Sequence, residues 1–482
     1  MVDDITSLGL CELADAIRSR QVTSVQAVEA CLDRISEWQP QINAFIRVDG
    51  EEAMAAALLA DRHVTEGRST GPLHGVPLAH KDLFSRAGRE ATCGSRIFSG
   101  EIARETATVL TRLEGAGAIQ IGALNMSELA GFDAIGEEPF GTCHNPWSLR
   151  HFNPGSSYGS AAAVAARLAF GALGSCTGGS IRIPAAACGV TGLKPTHGRV
   201  SRHGAMARSW SLDAIGPMAR SARDVARLLE CIAGSDPRDP SCSDEPVEHY
   251  ERFLSPKLDN VRIAVQRNWW SDVHDDVASA LDECQKVLSD GGAQLSRIDI
   301  PDGHLLWDLA LALSDCETAT VFGRRLRERG DQITEQNRRQ LQRGNLVPAP
   351  RYLEALALRG RYLREFCEQV FSRADVLMTP ALPIPVPTLD SMRDPQAAQV
   401  LSRSRVINIY TRPFNYLGLP ALTLPCGFTP DGMPVACQLV GRPFGEASLL
   451  AVAHAYQHRT DWHLRVPPLP GRRQDNENRR EV

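Results

Sequence analysis

Lysine is nearly missing from this 482-residue chain: of 52 basic residues, only Lys81, Lys194, Lys257 and Lys286 are lysines. Arginine carries the ordinary surface charge, so each lysine invites a question. A basic excess is missing as well. The formal net charge is −5, which leaves no electrostatic footprint for nucleic acid or an anionic membrane surface. No apolar run approaches transmembrane length, and the N-terminal MVDDITSLGLCELADAIRSR is acidic where a signal peptide is basic. The 13 cysteines form no CxxC pair and no regular framework, so they read as reduced thiols in a cytoplasm. Metal-ligand spacing fails too. His454 and His458 are four apart in AVAHAYQHRTDWH but have no third ligand nearby, and read as a polar helix face.

What is present is an ordinary globular composition, 43% hydrophobic and 23% charged, in a chain long enough for one large domain or several small ones. Helical spacing of apolar residues predicts three helices within residues 5–65. From 71 to about 235, short apolar segments such as AIQIGAL alternate with helix-like runs such as SARDVARLLECIAG, the pattern of a largely parallel or mixed sheet covered by helices. Further strands are predicted at KLDNVRIAVQ, ADVLMTPALP, GLPALTLPCGF and VACQLVG, with an arginine-rich helical stretch over 303–370. No internal repeat and no clear linker interrupts this order. The expected organisation is an N-terminal helical segment, 1–70, packed on a core, 71–465, with a disordered tail at 466–482.

Three stretches could carry chemistry. HGVPLAHKDLF, 74–84, places the rare Lys81 at the end of an apolar segment. There an ammonium is disfavoured and the amine can act as a base, unless it simply pairs with Asp82. NPGSSYGSAAAVAA, 153–166, satisfies the G-x-S-x-G elbow pattern around Ser157, but no buried strand precedes it. It lacks the G-K-[ST] of a phosphate loop as well. GALGSCTGGSIRIP, 171–184, is so rich in small residues that its backbone must approach something closely. The amides of Thr177, Gly178 and Gly179 could converge on one oxygen there, or the turn could merely cap a helix with Ser180.

Together these stretches resemble the amidase signature family. The order G-x-P-x-x-x-K-D, G-S-S-x-G-S-A, T-G-G-S-I-R-x-P-A fits, with 75 residues from Lys81 to Ser156 and 24 from there to Ser180. Segments such as CGVTGLKPTHGRVSRHG, FNYLGLPALTLPCGF and QLVGRPFGE extend the likeness over roughly residues 5–460. The resemblance implies a single α/β/α domain with a large mixed, twisted sheet, cleaving amide bonds without metal or organic cofactor. It implies Ser180 as nucleophile, Ser156 as a bridging serine after a cis peptide bond, and Lys81 as the neutral base. It places the oxyanion hole at Thr177, Gly178 and Gly179. Ser157, Cys176 and Arg182 are expected just behind these groups, and Met126 and Tyr158 at the substrate. The rest of the pocket is expected from 126–140 and 300–345.

The sequence departs from the family at Cys176, where an aspartate is usual, at Pro154, and at Tyr158. A thiol cannot accept the hydrogen bonds of a carboxylate or pair well with Arg182, so the loop is either weakened or served by adjusted neighbours. A Cys176 nucleophile is disfavoured, because the glycines follow it and no histidine lies near to form a thiolate. HGAMARSWSLD resembles the stand-alone enzymes, so the leading expectation is hydrolysis of a small or aryl amide through a seryl acyl-enzyme. Carbamate or urea derivatives are the near alternative. A glutaminase subunit of a tRNA-dependent amidotransferase, or a catalytically weakened relative, belongs to another class. The partner expectation that follows is a small-molecule substrate, no nucleic acid, no membrane, and a homodimer by analogy.

Overall fold

Apolar segments of four to eight residues, separated by helices, assemble into one eleven-stranded sheet. The computed structural model describes residues 4–68, 70–132, 135–268, 270–393 and 406–468. The strands are β1 (Phe45–Val48), β2 (Pro77–Lys81), β3 (Ile119–Leu124), β4 (Gly171–Cys176), β5 (Thr191–Lys194) and β6 (Ala214–Ala219). They continue with β7 (Arg262–Gln266), β8 (Gln294–Ile298), β9 (Val376–Pro380), β10 (Ala421–Phe428) and β11 (Pro434–Val440). Their order across the sheet is β1-β3-β2-β4-β6-β5-β10-β11-β9-β7-β8. Pairing is parallel within β3-β2-β4 and within β9-β7-β8. It is antiparallel from β4 through β6, β5, β10 and β11 to β9. The result is the mixed sheet of an α/β/α fold.

The three N-terminal helices run over Leu10–Arg18, Ser24–Ile42 and Gly50–Thr65. Between the last two lies β1, which pairs antiparallel with β3 at the sheet edge. Sequence patterning gave no sign of it, since four residues are too few to show alternation. The tail expected at 466–482 falls, from 469 on, outside the described residues.

β2 and β4, adjacent in the sheet, are buried along their whole length. β4 reads GALGSC, a composition poor in strand formers. Its small side chains fit because neighbours press on it closely. A Cβ built on Gly174 lies 3.0 Å from Ser157 Oγ, so any side chain there would displace that serine. Above this part of the sheet the helix Tyr158–Ala165 is buried at every residue. A more open cover comes from three helices, Gly303–Arg329, Glu335–Gly344 and Ala349–Phe371. No described helix is long and apolar enough to cross a membrane.

Candidate active site

β2 ends at Lys81, whose side chain is wholly buried. Its Nζ lies 2.8 Å from Ser156 Oγ, 2.9 Å from Ser157 Oγ and 3.0 Å from Ser175 Oγ. Asp82 turns elsewhere, accepting from the Thr92 amide at 2.8 Å and the Thr92 hydroxyl at 2.5 Å. The ammonium therefore exchanges water for three neutral hydroxyls, and burial lowers its pKa from 10.5 to about 7. The peptide bond between Gly155 and Ser156 is cis. Ser157 ties this turn to β4: its hydroxyl donates to the Ser175 carbonyl at 3.2 Å and accepts from the Ser175 amide at 3.3 Å. Ser175, absent from the sequence expectations, completes the hydroxyl cluster. The alternation of a strand would have pointed to it, had GALGSC read as one.

The Thr177–Ser180 loop joins β4 to the helix Arg182–Cys188. Gly179 has φ of +146°, and a Cβ there would lie 2.4 Å from both Thr411 Oγ1 and Ile183 Cδ1. Only glycine fits. The loop is pinned at both ends. Thr177 Oγ1 donates to Asp213 Oδ1 at 2.6 Å, while Asp213 Oδ2 accepts from the amides of Arg208 and Ser209 at 2.8 and 2.9 Å. Thr411 Oγ1 donates to the Gly178 carbonyl at 2.8 Å. The amides of Gly178, Gly179 and Ser180 have no acceptor among the described residues, so they remain available to an oxygen.

Ser180 is partly exposed and lines a cavity of about 430 Å³ together with Thr177, Gly178 and Gly179. Its walls include Ala130, Gly131 and Phe132 on one side and Trp307, Arg343 and Arg412 on another. The stretches 126–140 and 300–345 thus supply walls as expected, whereas the segment 407–412 was missed. Met126 and Tyr158, expected at the substrate, are buried in the hydrophobic core and line no part of this cavity. Asp133 and Ala134, within 126–140, lie outside the described residues.

Cys176 faces away from the cavity. Its sulfur is wholly buried, 3.6 Å from Arg182 Nη2 and 3.7 Å from Asn415 Oδ1. Burial pushes the thiol up, but the Arg182 guanidinium, the Ile181 amide and the Lys194 ammonium outweigh it and hold the pKa below 9.0. Arg182 itself finds neutral acceptors. It donates to Gln438 Oε1 at 2.6 Å, Asn415 Oδ1 at 2.5 Å and the Thr411 carbonyl at 2.9 Å. Asn415 in turn donates to the Cys176 carbonyl at 2.7 Å. Asn415 and Gln438 thus stand where the sequence left a missing carboxylate unexplained. Among the described residues no cluster of His, Cys, Asp and Glu could hold a metal ion.

An amine and three hydroxyls lie buried together beneath a glycine loop, and the α/β/α fold that carries them is shared with solved amidases. The chain belongs to the amidase signature family: the family model described as Amidase matches residues 26–450. It is 38% identical to a glutamyl-tRNA(Gln) amidotransferase subunit of Roseiflexus sp. (strain RS-1), over 96% of this chain and 98% of that protein. A solved structure that revealed, through a vestigial protein complex, the origins of an s-triazine catabolic enzyme matches with a TM-score of 0.86. It is 31% identical, covering 94% of this chain and 98% of its own. The corresponding amidotransferase subunit from Thermotoga maritima matches with a TM-score of 0.80 at 28% identity, over 97% and 99% of the two chains.

These relatives correct the partner expectation. A small-molecule amide or carbamate substrate, no nucleic acid and a homodimer do not agree with relatives that are subunits of amidotransferases named for glutamyl-tRNA(Gln). The error lay in reading partners from charge: a net charge of −5 bears on nonspecific binding, not on which assembly a chain joins.

Proposed function

We propose that this chain is the amide-cleaving subunit of an amidotransferase, releasing ammonia from the amide of a glutamine-type donor for a partner that holds a tRNA-linked acceptor. The likeness to the Roseiflexus protein along nearly the whole of both chains supports the assembly. The chemistry rests on one observation, the wholly buried Lys81 amine 2.8 Å from Ser156 Oγ.

In this reading Ser180 is the nucleophile. Its Oγ attacks the amide carbon while its proton moves to Ser156, and the Ser156 proton moves to the neutral Lys81 amine. Burial keeps a large share of Lys81 unprotonated near pH 7, as a base at that pH requires. The oxyanion forms against the loop amides over residues 177–180, each such donor contributing about 2.7–4 kcal/mol in comparable sites. Lys81 returns its proton through Ser156 to the leaving nitrogen, the C–N bond breaks and ammonia departs. Water then cleaves the Ser180 ester by the same relay, giving the acid and restoring the hydroxyl.

The test is to recover the full-length chain from its own cells and assay the purified material with glutamine. Stoichiometric partner subunits and ammonia release are expected. Ser180→Ala should lower release by about 10⁴-fold or more, while Cys176→Ala should stay within about tenfold of wild type. Loss of release on Cys176→Ala alone, in folded protein, would move the nucleophile to sulfur. A chain that purifies alone and is inert toward glutamine would end the amidotransferase reading.

A further inference from the structure

Two cavities approach the hydroxyl cluster from different sides. One is the Ser180 cavity. The other, of about 210 Å³, is lined by Ser175 and largely by the segment HGAMARSWSLD, residues 203–213. It reaches the surface at Trp210 and Arg238, both exposed. Its ionisable lining groups are Arg202, His203, Arg208, Arg238, Asp213 and Asp239. Ser180, Gly178 and Gly179 take no part in it, and among the described residues only Ala130, Thr177 and Arg208 line both cavities.

Each hydroxyl on the Lys81 amine has a different outlet. Ser156 serves Ser180 in the reading above. Ser157 is saturated: it donates to the Ser175 carbonyl, accepts from the Ser175 amide and from Lys81, and lines neither cavity. Ser175 Oγ has Lys81 Nζ, at 3.0 Å, as its one hydrogen-bond partner among the described residues, and it lines the second cavity. A serine hydroxyl accepts and donates at once. With its oxygen turned to the amine, its proton is left for water in that cavity, which has room for several molecules.

The chemistry needs such an outlet. Cleavage of RCONH₂ by water ends with a carboxylic acid beside Lys81. An ordinary carboxyl group, with a pKa of about 4, loses its proton to a stronger base, and the Lys81 amine, at about 7, is one. A turnover therefore leaves RCOO⁻, NH₃ and one proton held on Lys81. Until that proton is lost, Lys81 cannot act as a base again. Return through Ser156 leads back to the carboxylate and the ammonia, and would convert ammonia to ammonium, which has no lone pair to attack with.

We infer that Ser175 is a proton port, through which Lys81 is discharged once per turnover into the water of the second cavity. One N–H bond breaks at Lys81 and one O–H bond forms at Ser175. The proton that Ser175 already carried passes to water, and from there to buffer at the mouth beside Trp210 and Arg238. Ammonia stays unprotonated in the Ser180 cavity while the proton leaves on the other side. This inference rests on the amide-hydrolase reading above and deepens it.

The test uses the full-length protein, with the subunits that accompany it, and glutamine. Rapid quenching reads the glutamate formed in the first turnover, and a steady-state assay reads the turnovers that follow. In Ser175→Ala the steady-state rate should fall about 10- to 100-fold further than the first-turnover rate, the scale of a lost proton-transfer step. Imidazole added at constant pH and ionic strength should restore part of that loss. Ser175→Thr, which keeps the hydroxyl, should do the same. Ala207→Phe narrows the second cavity without touching the cluster, and should lower the steady-state rate more than the first turnover. Equal losses in both rates, with no response to imidazole, would make Ser175 a structural support and overturn the inference.

A second measurement needs no turnover. Only four lysines are present, so the side-chain NMR signals of isotope-labelled lysine are few, and Lys81→Met identifies the one from Lys81. At pH 6 Ser175→Ala should slow exchange of the Lys81 ammonium protons with water by about tenfold or more, and Ser156→Ala should slow it less. Exchange as fast in Ser175→Ala as in wild type overturns the port. Should no amide be cleaved while Ser175→Ala still slows that exchange, the port stands and the hydrolase reading falls.

Discussion

The floor beneath the Thr177–Ser180 loop and the wall of the cavity are built on opposite terms. The floor, β2, β4 and the helix Tyr158–Ala165, is buried at every residue and made largely of glycine, alanine and serine around one lysine. The wall over Gly303–Gly344 is made of two helices, Gly303–Arg329 and Glu335–Gly344. Of the ten residues in Glu335–Gly344 only Asn337, Leu341 and Gly344 are buried. Groups that must hold a proton at a set affinity sit where water is excluded and every neighbour is fixed. Groups that choose a substrate sit where side chains can be exchanged without disturbing the sheet. In the proposed reading, chemistry and selection are thus carried by separable parts of the chain.

The strongest way to break that comparison is Lys81→Met. Turnover should fall by about 10²- to 10⁴-fold, as for loss of a general base, without loss of the fold. Burial lowers the Lys81 pKa from 10.5 to about 7, which fixes the sign of its effect on stability. Between those values the unfolded chain binds the proton and the native state does not, so stability increases with pH across that window. Below about 7 the native state must bury an ammonium. Lys81→Met removes that cost, so at pH 6 it should melt at a higher temperature than wild type, measured by calorimetry. Wild-type kcat/KM should rise through an apparent pKa of about 7. A profile flat from pH 5 to 9 would exclude Lys81 as the base.

Arg182→Leu should act on stability first. It leaves Gln438 Oε1, Asn415 Oδ1 and the Thr411 carbonyl without their buried donor, at a cost of about 3 kcal/mol or more in urea unfolding. A cost below about 1 kcal/mol would mean that this cluster is not what ties the loop to the segment around 411–415. The smallest effect belongs to the wall. Arg343→Gln breaks a pair whose arginine is half exposed, 52% for the side chain. Solvent screening limits the loss to about 1 kcal/mol, and kcat should stay within about threefold of wild type. A larger loss of kcat would show that wall and floor are coupled.

The floor was legible in the sequence because its residues fall in three short segments whose order is itself informative. Lys81 stands out as one of four lysines, and Ser180 follows the glycines that shape its loop. What escaped was decided in three dimensions. GALGSC has weak strand propensity and becomes a central strand only because β2 and β6 flank it. Tyr158 was expected at the substrate from its position beside the serines, yet it opens a helix whose residues are all buried. Arg412 gave no signal at all, since nothing in RPFNY tells that its guanidinium will lie against Gly178, more than two hundred residues earlier in the chain. Asn415 and Gln438, which take up Arg182, are equally remote from Cys176.

The bond from Thr411 to the Gly178 carbonyl has a further consequence for how the protein comes into being. On the ribosome Lys81, Ser156 and Ser180 emerge long before residue 411. Until that late segment arrives and docks, the loop lacks one of its two pins and Arg182 lacks its acceptors. A nascent or C-terminally truncated chain would hold the reactive groups without the cradle that makes them useful. In the proposed reading, amide cleavage therefore waits on a segment made more than two hundred positions after Ser180.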